Sequence, residues 1–146
     1  MHSVNLLVTD RSPESAEHVN SLLRNSGIKI HVIYTKTSVE VKRALDHDSP
    51  VLILYCDPDE SDAPLDEISE LAAAFAVPLA LFTSLGDTER LVRLLSGTSC
   101  FVINSEREDL LTDSVLRLVR NTEAERQHET QQQFLEELEH RYDLLL

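Results

Sequence analysis

The segment "LILYCDPDESDAP", residues 52–64, runs from an apolar stretch into a turn where Asp57, Asp59, Glu60 and Asp62 follow Cys56. Carboxylates at this density suit phosphoryl acceptance, coordination of a hard cation, or simple solvation of a loop. Oxygens alternate at 57, 59 and 61 as in a calcium loop. Asp62, however, stands where the tight turn needs glycine, and Ile68 where a bidentate glutamate belongs. Pro58 biases Asp57 toward extended backbone, so Asp57 could prolong the preceding strand, but with its side chain on the face opposite to that of Cys56. Cys56 and Cys100 match no zinc or redox spacing, and no base near Cys56 in the sequence makes it a nucleophile. His18, His31 and His128 lack a second ligand one helical turn away. Thr9, Ser12 and Ser15 could ring a helix N-terminus and hold phosphate, although Arg11 and Pro13 occupy places where such a loop has small residues.

The elements that must position these residues follow from periodicity. "VNLLV" at 4–8 is a short strand, and Ser12 before Pro13 starts a helix over about 13–25, with Ala16, Val19, Leu22 and Leu23 on one face and Gly27 closing it. "IKIHVIY" at 28–34 alternates as a strand, and "TSVEVKRALDH" places Val39, Val41, Ala44 and Leu45 at helical spacing. "PVLILYC" is continuously apolar, as expected of a strand buried on both faces of a parallel sheet. Pro64 opens a helix to Phe75, "VPLALFT" is a strand, Asp87 caps the helix "TERLVRLLS" with Gly97 ending it, and "CFVIN" is a fifth strand. Alternation of this kind predicts a three-layer α/β fold with any chemistry at the carboxyl ends of the strands.

From Glu106 onward neither proline nor glycine interrupts the chain. Leu111, Val115, Leu118 and Val119 can dock on the sheet, whereas residues 120–133 are nearly all polar and are expected to leave it. Leu135, Leu138, Tyr142 and Leu145 then recur at the alternating spacing of a coiled-coil seam, which predicts pairing with a second copy.

The composition narrows the functions. The chain has 146 residues, 26 acidic and 13 basic, for a net charge of −13. Such a balance repels nucleic acid and anionic lipid, so no nucleic-acid partner is expected. The longest apolar run, "LAAAFAVPLALF", is too short to span a bilayer and contains Pro78, so no membrane insertion is expected. Two cysteines and no leader pattern predict a cytoplasmic protein.

The strand ends, taken in order, resemble a response-regulator receiver domain over roughly residues 3–120, which implies a doubly wound five-stranded parallel sheet of order 2-1-3-4-5. A working receiver has an acidic pair after the first strand, an acceptor aspartate ending the third, a hydroxyl ending the fourth and a lysine ending the fifth. Here those positions read Thr9 and Asp10, Cys56, Thr83 and Asn104, with Phe101 at the aromatic switch position. The resemblance therefore implies a degenerate phosphoacceptor pocket, with no metal site, no cofactor and no enzymatic activity. Use of Asp57 as the acceptor, and small-ligand binding of flavodoxin type, stand as alternatives.

The face around the fourth helix, with Arg90 and Arg93 exposed beside Leu91, Leu94 and Leu95, is an expected interaction surface. The ending "LEELEHRYDLLL" is similar to the lead-in helix of PAS domains. Together the two likenesses resemble the N-terminus of FimX-type cyclic-di-GMP regulators, in which PAS, GGDEF-like and EAL domains follow and which act in pilus-driven twitching motility. This implies a receiver-like domain over 1–120 and a helical linker over 121–146. The partners it implies are a second copy, the downstream domains and a further protein.

Overall fold

The structure, a computed structural model, describes residues 3–24, 27, 29–56, 63–96 and 100–145, with the side chains of Ser3, Leu94, Glu108 and 139–145 excepted. Five strands, β1 (Ser3–Thr9), β2 (Lys29–Thr35), β3 (Leu52–Cys56), β4 (Leu79–Thr83) and β5 (Phe101–Asn104), alternate with five helices. The helices are α1 (Glu14–Leu23), α2 (Ser38–Asp48), α3 (Leu65–Ala74), α4 (Thr88–Leu95) and α5 (Glu108–Leu145). All strand pairs are parallel and their order is β2-β1-β3-β4-β5.

β3 is buried at every position, because helices cover both faces of the sheet. Leu52, Leu54 and Cys56 join Leu6 and Val8 of β1 in a core closed by Ala16, Val19 and Leu23 of α1 and by Leu111, Val115 and Val119 of α5. Ile53 and Tyr55 point the other way, into a core with Leu7, Leu79 and Leu81 that Val41 and Leu45 of α2 and Ile68 and Ala72 of α3 complete. The period-two alternation of strand side chains thus feeds two separate cores from one continuously apolar run.

Helix boundaries follow local chemistry. Thr37 caps α2 by accepting from Glu40 N, and Asp87 caps α4 by accepting from Arg90 N at 3.1 Å. At α1 the cap position is Pro13 rather than Ser12, whose Oγ accepts from Glu14 N at 3.3 Å. α4 ends at Leu95, and Gly97, expected as its stop, lies outside the described residues. Gly27 follows α1 at φ 86, a left-handed backbone that favours glycine.

α3 ends with Val77 N donating to Ala72 O at 2.9 Å and Ala76 N donating to Ala73 O at 3.2 Å, the paired bonds of a Schellman turn. Its left-handed residue is Ala76, at φ 54. A Cβ in that region is strained by roughly 1–2 kcal/mol. Ala76→Gly is therefore expected to stabilise the protein by about 1 kcal/mol, read as a higher urea midpoint with an unchanged slope. An unchanged or lower midpoint would contradict the strained turn.

Candidate functional site at the carboxyl edge of the sheet

Because the sheet is covered on both faces, polar side chains that could do chemistry gather where the strands end. The register aligns Thr9 with Tyr55, Cys56 with Phe82, and Thr83 with Asn104, so Thr9, Asp10, Cys56, Thr83 and Asn104 lie along one edge. This is the row of positions singled out from the sequence. Asp57 lies outside the described residues.

Asp10 is 4% exposed, and both of its carboxylate oxygens are engaged. Arg11 N donates to Oδ1 at 2.6 Å, and Ser15 Oγ donates to Oδ2. Tyr34 Oη donates to the Asp10 carbonyl at 3.0 Å, and Asp10 N donates to Thr35 O at 3.2 Å. Asp10 thus fastens the β1–α1 turn. Thr9 is fully buried, and its Oγ1 has no hydrogen-bond partner among the described residues. Cys56 is 1% exposed and packs in the core shared by α1 and α5; it forms no disulfide with Cys100.

Thr83 ends β4 in the position expected of the switch hydroxyl. Its Oγ1 accepts from Arg90 Nη1 at 3.0 Å. Arg90 is therefore not a solvated rim residue of α4, as its sequence position implied, but a part-buried cation folded back onto the strand end. Asn104 does not reach toward the pocket either. Its Oδ1 accepts from Glu106 N at 3.0 Å and its carbonyl accepts from Arg107 N at 3.1 Å, forming the turn into α5. Ser84 Oγ donates to Glu106 Oε1 at 2.7 Å across the same turn.

A divalent cation is implied at this edge by the chemistry of phosphoryl transfer, but the described residues do not fit one. The strand-end positions offer a single carboxylate that already accepts two internal hydrogen bonds, two threonines, an asparagine engaged in a turn, and a thiol, whereas magnesium takes carboxylate, carbonyl and water oxygens. Among the described residues no group of three His, Cys, Asp or Glu side chains could hold a metal ion. At the start of α5, Arg107 and Asp109 pair at 3.1 and 2.9 Å, which holds the Asp109 carboxyl below and the Arg107 guanidinium above their ordinary values. Both are exposed to solvent, so the pair contributes little to stability.

The expected interaction face is built differently from the sequence reading. Leu91 is half-buried, Leu95 packs against the α2–α3 core, and the Leu94 side chain lies outside the described residues. Arg93 is exposed, and the exposed apolar residue beside it is Val92, at 64%. Phe101 is 53% exposed on the edge strand β5, next to exposed Val102. Val92 was passed over because the helical spacing of Leu91, Leu94 and Leu95 dominates the pattern.

α5 also departs from expectation. Its docking does not end at Val119: Thr122 is 6% exposed, and Arg126 donates to the carbonyls of Ser49 and Pro50. Contact with the domain thus extends past residue 120. Beyond it, Phe134 and Leu135 are 61% and 58% exposed. Leu138 is partly covered, the backbone is helical to Leu145, and the side chains of Tyr142 and Leu145 lie outside the described residues. At about 100° per residue, the nine positions from Arg126 to Leu135 turn the helix by roughly two and a half turns. The apolar seam therefore begins on the face opposite the one that docks.

No protein-family model matches the chain, and no curated protein matches it. Solved structures do match in fold. A response regulator from Thermotoga maritima superposes with a TM-score of 0.64 at 20% identity, over 82% of this chain and 99% of that one. The signal receiver domain of a putative LuxO repressor protein from Vibrio parahaemolyticus gives 0.64 at 19% identity, over 88% and 98%. A putative pilus assembly protein from Burkholderia thailandensis gives 0.63 at 16% identity, over 80% and 98%. The chain has the receiver fold, as the strand ends implied. Among the described residues no helix is long and apolar enough to cross a membrane.

The two thiols differ in access. Cys100 is half-exposed and burial pushes its thiol above the ordinary value of 9.0, whereas Cys56 is sealed in the core. Since the thiolate is the nucleophile, a disulfide reagent is expected to label Cys100 alone in the native protein, at a rate still rising with pH above 9.0. Cys56 should react only in denaturant. Labelling of both thiols at equal rates without denaturant would refute this assignment.

Proposed function

We propose that this chain is a receiver-like regulatory module that works by contact and not by phosphoryl transfer. The observation that carries the reading is Asp10, the one described carboxylate among the strand-end positions, with both oxygens held by Arg11 N and Ser15 Oγ. Phosphoryl transfer needs an ion and a free cation to neutralise the transferred oxygens. The fifth-strand position offers Asn104, which is engaged in a turn, and Arg90 already donates to Thr83.

The module then acts through surfaces. Its helix α5 carries Phe134, Leu135 and Leu138 away from the docking face, so two copies pair through these extensions with their domains pointing outward. The same helix couples the module to the domain that follows it. The likeness of "RYDLLL" to a PAS lead-in supports a cytoplasmic cyclic-di-GMP regulator linked to pilus function as the setting.

Two measurements test this. Incubation with a small phosphodonor and magnesium, followed by intact mass, is expected to leave the mass unchanged; gain of one phosphoryl group would establish an active acceptor and overturn the reading. Light scattering is expected to give a dimer for the chain and a monomer for the Leu135→Asp, Leu138→Asp double variant. A monomer in both cases would remove the pairing helix from the proposal.

A further inference from the structure

The apolar residues that dock α5 end at Val119, yet the helix stays on the domain for two more turns. What holds it there is polar. Arg126 Nη2 donates to the Pro50 carbonyl at 2.9 Å and Nη1 to the Ser49 carbonyl at 3.5 Å. These carbonyls sit just past the end of α2, where Ser49 adopts a left-handed backbone at φ 46. The end of a helix leaves carbonyls unpaired and concentrates the negative pole of its dipole, so a guanidinium fork is well matched to it.

The same turn is stitched into the sheet from the other side. Asn5 of β1 donates through Nδ2 to the Asp48 carbonyl, and its own carbonyl accepts from Val51 N at 2.9 Å. Alongside the arginine contact an open groove of about 530 Å³, lined by Val4, Val51, Glu123 and Gln127 among others, separates helix from sheet. Apolar packing therefore does not fix the helix at this level.

We infer that Arg126 is a latch that sets the direction in which α5 leaves the domain, with the α2–β3 turn at the base of the sheet as its keeper. This rests on α5 being the route by which the module couples to its partners. It adds that the route is governed at the amino edge of β1 and β3, remote from the strand ends that carry Asp10 and Thr83. Displacement of the α2–β3 turn would release the helix from Thr122 onward while leaving Leu111, Val115 and Val119 in the core.

Hydrogen exchange on the full chain, comparing the parent with Arg126→Ala and Arg126→Lys, tests the latch. In Arg126→Ala, amides over 120–130 are expected to exchange about tenfold faster, with those over 111–119 unchanged. Alanine is the better helix former, so faster exchange cannot arise from local propensity. Lysine, one charge without the fork, should fall between. Unchanged exchange over 120–130 would overturn the latch; so would equal acceleration over 111–119, which would mean that the arginine supports the whole fold. Light scattering on the same samples reports pairing separately: a monomeric parent whose alanine variant still loosens over 120–130 retains the latch and removes only the dimer.

Discussion

Burial of β3 on both faces is the constraint from which the rest of the molecule follows. A strand with every side chain inside must be covered by helices above and below, so polar groups are driven to the strand ends and to the outer helix faces. At the carboxyl edge the polar groups meet a second rule, that a buried polar atom needs a partner. Except at Thr9 Oγ1, which has no partner among the described residues, this chain meets it from within: Ser15 and Arg11 N serve Asp10, Arg90 serves Thr83, and Glu106 N serves Asn104. An edge where Asp10, Thr83 and Asn104 are partnered by their own chain is organised as a structural joint, and under the proposed reading that leaves surface contact as the means of signalling.

α5 obeys the same constraint at its own scale. Where it lies over the sheet it presents Leu111, Val115 and Val119, and where the sheet ends it turns to a charged contact with backbone carbonyls. A part-buried arginine beside a helix C-terminus is favourable because its charged fork donates to backbone carbonyls there. Farther along, Leu135 lies on the opposite face, where no part of the described domain can cover it. One helix thus carries two faces in succession, the first belonging to the domain and the second to whatever lies outside it.

Much of this was legible in the sequence. The uninterrupted run "LILYC" announces a doubly covered strand, Asp87 marks the start of α4, and Leu111, Val115 and Val119 mark the docked face of α5. These signals are local or periodic. What escaped is long-range and made by flexible side chains: Arg126 meets a turn 76 residues away, and that pairing leaves no trace in spacing. Arg90 reads as a surface residue because helix periodicity gives the direction of its Cβ and not where a long guanidinium arm will end. Asn104 was judged by what it lacks, a positive charge, whereas its role lies in what it has, an acceptor placed for the Glu106 amide.

The two edges of the sheet therefore carry different burdens. At the carboxyl edge, Arg90 ties α4 to the end of β4, and Asn104 ties the end of β5 to the start of α5. At the amino edge, Asn5 and Arg126 tie β1, α2 and the middle of α5 to one turn. The first two bonds join neighbours in sequence, and the longer ones at that edge, Ser84 to Glu106 and Tyr34 to Asp10, join the ends of adjacent strands and leave the projecting part of α5 untouched. The second set joins residues 5, 48, 50 and 126, and so links the interior of the sheet to the helix that projects from it. Under the proposed reading, in which the strand-end pocket takes no phosphoryl group, an input that moves α5 has its most direct path through this lower set. It acts on the Arg126 contact, with no need to unpack either core.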